Sequence, residues 1–236
     1  MPGLPEIVPI SGGHAHAYLV KVGTAGVLID SGIPGSAERL RRGIHSSGVS
    51  IGNLRLIVLT HAHYDHAGGA AELQAASGAQ VLASRLEVGH LAEGRTPFPR
   101  GLNPWARLAS SAGRRLMGGR RQFTPLVPEV SIDGSFDLGE YGLAGKALPL
   151  PGHSAGSIGV ILDSGEAFVG DAAFNIFPRS VVPPLADDPA ALLESWRLLL
   201  ESGAATFYPG HGKPFGREKL QASLPPLERL AARINQ

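Results

Sequence analysis

The sequence predicts an α/β fold in a single domain, and three observations carry that reading. Short apolar runs rich in β-branched residues, such as Leu54-Arg55-Leu56-Ile57-Val58-Leu59, alternate with stretches of helical spacing. The 32 glycines and 19 prolines are spread along the chain at turn positions, which gives many short elements rather than disorder. The 236 residues suit one such domain with a sizeable core, and no linker divides them.

Composition narrows the function classes. Hydrophobic residues make up 43% and charged residues 17%, with a net charge of +1, so the chain lacks the excess charge of a nucleic-acid binder. It contains no cysteine, which removes disulfides and thiolate ligands and leaves nitrogen and oxygen to hold any metal. Met1-Pro2-Gly3-Leu4-Pro5 has neither the basic start nor the apolar core of a signal peptide, and no apolar run approaches membrane-spanning length. A cytoplasmic location without membrane partners is the expectation.

Taken in order, Glu6 to Pro9, Ala17 to Val22 and Gly26 to Asp30 read as short strands between glycine-containing turns. His14 and His16 share an H-x-H spacing, but no carboxylate or third histidine follows, so a surface turn entering a strand accounts for them. Asp30 closes the run Val27-Leu28-Ile29, either as a helix cap or as a partner to a metal-bound histidine. Ser36 to Ser47 reads as a helix with Leu40 and Ile44 facing a core, Leu54 to Leu59 as a buried strand, and Ala67 to Ala76 as a second helix. Gln80 to Ala83 and Arg85 to Leu91 follow as a strand and a short helix.

Residues 93–128 change character. Arg95, Arg100, Arg107, Arg114, Arg115, Arg120 and Arg121 stand against the single acid Glu93, and Leu102, Trp105, Leu108, Ala112 and Leu116 recur at helical spacing. An inserted amphipathic helix is predicted, with Trp105 and Leu108 pinning it to the body. Its basic face is either a solvated surface or a lid offering Arg107, Arg114 and Arg115 to an anionic small-molecule substrate. Strands return at Glu129 to Ile132, Ser135 to Leu138, Leu143 to Leu148, Ser157 to Leu162, Ala167 to Val169 and Thr206 to Tyr208. Asp188 to Leu200 reads as a helix capped by Asp187 or Asp188 with Pro189 in its first turn, and Gly216 to Ile234 as a helical stretch interrupted at Pro225-Pro226.

The chemistry concentrates in Thr60-His61-Ala62-His63-Tyr64-Asp65-His66, between the strand and the second helix. In an extended loop, residues i and i+2 point the same way, so His61 and His63 can grip one metal ion. Asp65 and His66 turn toward a second position at the start of the helix, whose positive end favours a neutral, ligating His66. Three further ligand-type residues lie on glycine-containing loops at strand ends. They are His153 in Pro151-Gly152-His153, Asp171 after Phe168-Val169-Gly170, and His211 in Pro209-Gly210-His211.

With these five loops in order, from Leu28-Ile29-Asp30-Ser31-Gly32 to Tyr208-Pro209-Gly210-His211-Gly212, the chain resembles the metallo-β-lactamase-fold hydrolase superfamily over essentially its whole length. The resemblance implies a four-layer αβ/βα sandwich with a metal site between its sheets. It implies His61, His63 and His153 as ligands of one divalent ion, Asp65, His66 and His211 as ligands of another, and Asp171 as the bridge. Zinc is the expected metal, with iron or manganese also suited to nitrogen and oxygen donors. The reaction so implied is attack of a metal-bound hydroxide on a carbonyl, with Asp65 orienting the nucleophile and passing on a proton.

Within that superfamily, true metallo-β-lactamases usually lack an aspartate at the position of Asp171. Quorum-quenching lactonases carry a catalytic tyrosine three residues after it, where this chain has Phe174, as in glyoxalase II-like sequences. A thioesterase or esterase is therefore the expected activity, with an acyl-homoserine lactonase as the alternative. A β-lactamase, a nuclease and a non-catalytic metal sensor stand further off. By the same resemblance, the stretch after His211 is expected to lack the carboxyl-terminal helical region of glyoxalase II that helps bind glutathione.

Overall fold

The structure, a computed structural model, describes residues 5–96, 98–117 and 122–234. Residues 1–4, on which the amino-terminal reading rests, and Arg120 and Arg121 of the basic segment lie outside them.

Alternating burial along the strands brings two mixed sheets face to face. The first runs in the order β1 (Glu6–Ser11), β2 (His16–Val22), β3 (Ala25–Ile29), β4 (Leu54–Val58), β5 (Gln80–Ser84) and β6 (Val130–Ile132). Its first three strands are antiparallel, and β3 through β6 are parallel. The second contains β7 (Phe136–Asp137), β8 (Gly145–Pro149), β9 (Ile158–Leu162), β10 (Glu166–Asn175), β11 (Thr206–Gly212) and β12 (Phe215–Gly216), antiparallel except at the β10–β11 pair.

Because strand side chains point alternately to opposite faces, each sheet buries both of its own. Tyr18, Val20, Val27, Ile29, Leu56 and Val58 of the first sheet meet Ala147, Ile158, Val160, Leu162 and Phe168 of the second. The odd-and-even partners Leu19, Leu28, Ile57 and Val81 turn outward under α1 (Ala37–Ser46) and α3 (Ala70–Ser77), which contribute Leu40, Ile44 and Leu73. On the far side, Ile161, Ala167, Val169 and Phe207 pack under α6 (Pro189–Glu201), α7 (Arg217–Ala222) and α8 (Leu224–Ile234). The result is the expected four-layer sandwich. Trp196 of α6 is fully buried and donates from Nε1 to the Ala172 carbonyl of β10 at 2.7 Å.

Several helix boundaries follow their caps. Asp188 Oδ1 accepts from the amides of Ala190 and Ala191, and Pro189 occupies the first turn of α6, where its missing N–H costs nothing. The break in the last helical stretch falls at Ser223, before the prolines. Pro225 and Pro226 lie in the first turn of α8, so they open a helix instead of interrupting one. The segment after the metal loop likewise divides, into α2 (Tyr64–Ala67) and α3.

The basic segment forms α5 (Pro104–Met117), after the short α4 (Val88–Glu93). Its two ends are clasped where the amides of Gln122 and Phe123 both donate to the Gly94 carbonyl, at 2.7 and 3.1 Å. The expected anchoring face is wrong, however. Trp105 is 82% exposed and Leu108 63% exposed, whereas Ala106 and Ser110 are buried. The helix lies on the narrow strip 98–102, and only small residues fit there. Ser110 Oγ donates to the Pro99 carbonyl, and a Cβ on Gly113 would meet the Phe98 ring at 3.0 Å.

Candidate metal centre

Seven ligand-type side chains converge at one end of the space between the sheets. His61 and His63 lie on the loop after β4, and Asp65 and His66 lie in α2. His153 lies on the turn between β8 and β9. Asp171 and His211 lie inside β10 and β11 instead of beyond their ends as the sequence implied. The pairing explains how a strand residue reaches the site. Between Gly170 and Phe174 the register of β10 against β11 slips, so Asp171 to Ala173 leave the ladder and Asp171 turns inward.

The ligand atoms form three overlapping groups: His61, His63 and His153; His61, His66 and Asp171; and Asp65, His66 and His211. Asp171 belongs to the middle group, and its two oxygens face the imidazoles of the other two. Its Oδ2 lies 3.4 Å from His153 Nε2 and 3.9 Å from His61 Nε2. Its Oδ1 lies 3.2 Å from His66 Nε2 and 3.5 Å from His211 Nε2. His211 Nε2 is also 3.4 Å from Asp65 Oδ2, and His153 Nε2 is 3.0 Å from His63 Nδ1. Gly210 permits this density: a Cβ there would lie 2.5 Å from His66 Cε1 and 2.6 Å from Asp171 Oδ1.

The outer nitrogens are tied down, which fixes what the inner ones can do. His66 Nδ1 donates to Asp30 Oδ2 at 2.8 Å, and His153 Nδ1 donates to the Leu185 carbonyl at 3.0 Å. Thr60 Oγ1 donates to Asp30, at 3.0 and 2.9 Å from its two oxygens, so its oxygen is free to accept from His61 Nδ1 at 3.1 Å. With Nδ1 keeping its proton, each of these rings, once neutral, would turn a lone pair on Nε2 toward the centre. Asp30 is thus a histidine-orienting group, not a helix cap. It holds that place at φ 62, the one non-glycine in the left-handed region among the described residues.

His61 Nε2, His66 Nε2 and Asp171 Oδ1 are buried there without a hydrogen bond. Such orphaned atoms are costly unless a cation takes their place. The nitrogen and carboxylate donors fit divalent metal ions, and the shared aspartate is typical of a dinuclear arrangement.

Without a metal, protons fill the role. Burial works against a charge on His66, yet Asp171 and Asp30 hold its pKa well above the ordinary value. The positive end of the four-residue α2 therefore does not keep His66 neutral; two buried carboxylates outweigh it. His211 behaves alike, raised to about 9 by Asp171 and Asp65 against burial. Burial, reinforced by the neighbouring imidazoles and opposed by Asp171, pulls His153 down to about 4 and His61 well below its usual value. Burial opposes the ionised forms of Asp65 and Asp171, but the surrounding histidines keep both pKa values low.

A cavity of about 190 Å³ opens onto these groups. Phe98, Pro99, Phe174 and Leu185 supply its apolar wall, and Tyr64, Thr96 and Gln122 its polar one. The basic segment therefore covers part of the metal site. Phe174 stacks on His211 with ring centroids 4.4 Å apart. Arg107 and Arg114 line a neighbouring groove, whereas Arg115 is exposed and outside its wall.

Among known proteins, a family profile described as "Metallo-beta-lactamase superfamily" matches residues 10–211. The chain belongs to the metallo-beta-lactamase superfamily. With its His/Asp cluster, it is a metal-dependent hydrolase of that superfamily. It is 29% identical over 228 residues to the human "Metallo-beta-lactamase domain-containing protein 1", covering 93% of this chain and 70% of that protein. A probable metallo-hydrolase of Methanocaldococcus jannaschii is 26% identical, across 84% of this chain and 88% of its own length. The hydroxyacylglutathione hydrolase of Cupriavidus taiwanensis is 32% identical over 145 residues, 60% of this chain and 43% of that protein. Rm3 metallo-beta-lactamase superposes with a TM-score of 0.68 at 21% identity, covering 97% of this chain and 91% of that one, which establishes likeness of fold.

Two superfamily-site features escape sequence reading. Glu87, 3% exposed, accepts from the Ala62 amide with Oε2 (3.2 Å) and from Ser154 Oγ with Oε1 (2.7 Å), so it ties the first metal loop to the His153 turn. No motif marks it. His14 lies on the bend before β2 and His16 begins that strand, as expected of a turn entering a strand, but both also edge the site. His14 Nδ1 lies 3.0 Å from the Tyr64 hydroxyl, and the neighbouring His211 adds to burial in lowering the pKa of His16.

Proposed function

We propose that the protein hydrolyses carbonyl esters, thioesters in preference to oxygen esters, with two divalent metal ions. His61, His63 and His153 would hold one, Asp65, His66 and His211 the other, with Asp171 between them; zinc, iron and manganese all suit these donors. Bound there, divalent metals supply Lewis acidity and a water acid enough to react near neutral pH. The observation that carries this reading is Asp171, whose two oxygens are divided between two sets of imidazoles with three buried atoms left unsatisfied.

The chain's own residues complete the chemistry. Asp65 stays ionised, so it can accept a proton from the attacking water and return it to the leaving group. Phe98, Pro99, Phe174 and Leu185 keep bulk water from the reacting carbonyl. Phe174 has no proton to give, so no phenol there assists Asp65 in protonating the leaving group, and leaving groups that need protonation least, such as thiolates, are favoured. The similarity to hydroxyacylglutathione hydrolases supports the same choice. Tyr64 is the one phenol on the described cavity wall, and its hydroxyl is engaged with His14.

The test is kcat/KM for matched thioesters, oxygen esters, acyl-homoserine lactones and β-lactams on metal-analysed protein. Thioesters should lead, close to two equivalents of metal should be bound, and Tyr64→Phe should preserve the order. Faster turnover of the lactones, or a metal content that stays at one equivalent when metal is plentiful, would sink the reading.

A further inference from the structure

We propose that the groove beside the metal cavity is a second subsite, which holds a carboxylate or phosphate carried by the substrate at a distance from its scissile carbonyl. This rests on the hydrolase reading above and names its substrate class: an anionic ester or thioester.

The groove measures about 1070 Å³, and its wall includes Phe98, Arg100, Leu102, Arg107, Arg114 and Asp187. It adjoins the metal cavity, since Phe98 lines both. Two chain segments form the partition. Leu102 donates its amide to the Pro184 carbonyl and Ala186 donates to that of Arg100, each at 2.9 Å. These paired segments give Pro99 and Leu185 to the cavity, and Arg100 and Asp187 to the groove. The cavity is small, at about 190 Å³, so a substrate longer than its reacting group must extend outward, past Phe98 if its far end is to reach the groove.

The groove's charge is set up for an anion. Arg107 Nε donates to the Gly101 carbonyl at 3.2 Å and Arg114 Nη1 to Ser110 Oγ at 2.5 Å. Each fork is thus aimed by one nitrogen and keeps others for a ligand, and a guanidinium binds carboxylate or phosphate through two at once. Among the described residues, the arginines in ion pairs are Arg41, Arg85, Arg95 and Arg197. Arg100, Arg107 and Arg114 are therefore not neutralised. The acid on the wall, Asp187, turns Oδ1 onto the Arg100 amide at 2.9 Å, which leaves three cations against one carboxylate.

The experiment uses metal-replete protein and two series of aryl or alkyl thioesters. One carries a terminal carboxylate on the acyl chain, the other a phosphate on the thiol side, each with a neutral mate of equal length. In at least one series the charged member should have the lower KM, by about tenfold for two exposed charge contacts, with kcat alike. The double variant Arg107→Gln/Arg114→Gln should abolish that difference, 0.5 M salt should shrink it, and Arg115→Gln should leave it. Equal KM values in both series, or the same loss in Arg115→Gln, would overturn the subsite. Calorimetry with inorganic pyrophosphate separates this from the hydrolase reading. Wild type should bind it about tenfold more tightly than the double variant even if no thioester is turned over, and absence of binding at millimolar concentration counts against the groove.

Discussion

At the scale of single residues, the centre is governed by which nitrogens already carry protons. His66 and His211 are held protonated in the metal-free protein, His211 up to about pH 9, while burial keeps His153 neutral down to about pH 4. A cation entering beside His211 must expel a proton below pH 9, whereas one entering beside His153 need not. Between pH 8 and pH 6, affinity for the Asp65–His66–His211 half should fall at least about tenfold per unit, and that for the other half far less. Metal titrations against a competing chelator at both pH values would show one equivalent weakening; equal slopes would refute the assignment. His153 also sets a stability trend. Its folded pKa lies below the ordinary 6.5, so its contribution is complete above pH 6.5 and is lost as pH falls toward 4. Asp30→Asn should weaken metal binding by about 10–100-fold, chiefly in the His66 half, because the ring loses the acceptor that fixes its tautomer. An unchanged chelator competition curve would show that Asp30 is not the orienting group.

At the scale of elements, Glu87 joins two loops that carry ligands yet belong to different sheets. Glu87→Ala would strand the Ala62 amide and leave the Ser154 hydroxyl only Ser157 Oγ as a partner, and should cost about 1–3 kcal/mol, read from denaturant midpoints. Glu87→Gln, which can keep one acceptor, should lose less; equal losses would point to simple cavity formation. The elements also show how far the sequence could be read. The H-x-H-x-D-H run and the apolar strand before it were legible because the signal is local. The same holds for the Asp188-Pro189 helix start. The partners of Asp30 and the position of Glu87 were not, since each depends on contacts between distant segments. The anchoring face of α5 misled for another reason. Periodicity identifies an apolar stripe but not what lies opposite, and the surface offered at 98–102 admits alanine, serine and glycine, not tryptophan.

At the scale of the whole molecule, four of the seven candidate ligand residues, His61, His63, Asp65 and His66, follow the first sheet's β4, and three, His153, Asp171 and His211, lie on a turn and two strands of the second sheet. Metal ions bound there would cross-link the two halves. Removing them should therefore destabilise both halves together, by about 4 kcal/mol for each ion whose free concentration had stood a thousandfold above its Kd. Calorimetry should show a single transition moving down in temperature; two separated transitions after chelation would mean that the halves do not depend on the metals alike. The layered fold itself was readable from strand and helix rhythm, because inward and outward alternation is written residue by residue. The chain also carries an optical reporter of this coupling. Of its two tryptophans, Trp105 stands in solvent, whereas Trp196 is sealed inside and bonded to the carbonyl of Ala172, the residue next to Asp171. Once acrylamide has quenched the exposed indole, the remaining emission comes from Trp196 alone, bonded to the residue next to Asp171. Its wavelength and lifetime would report metal entry in the unmodified protein, without any introduced dye.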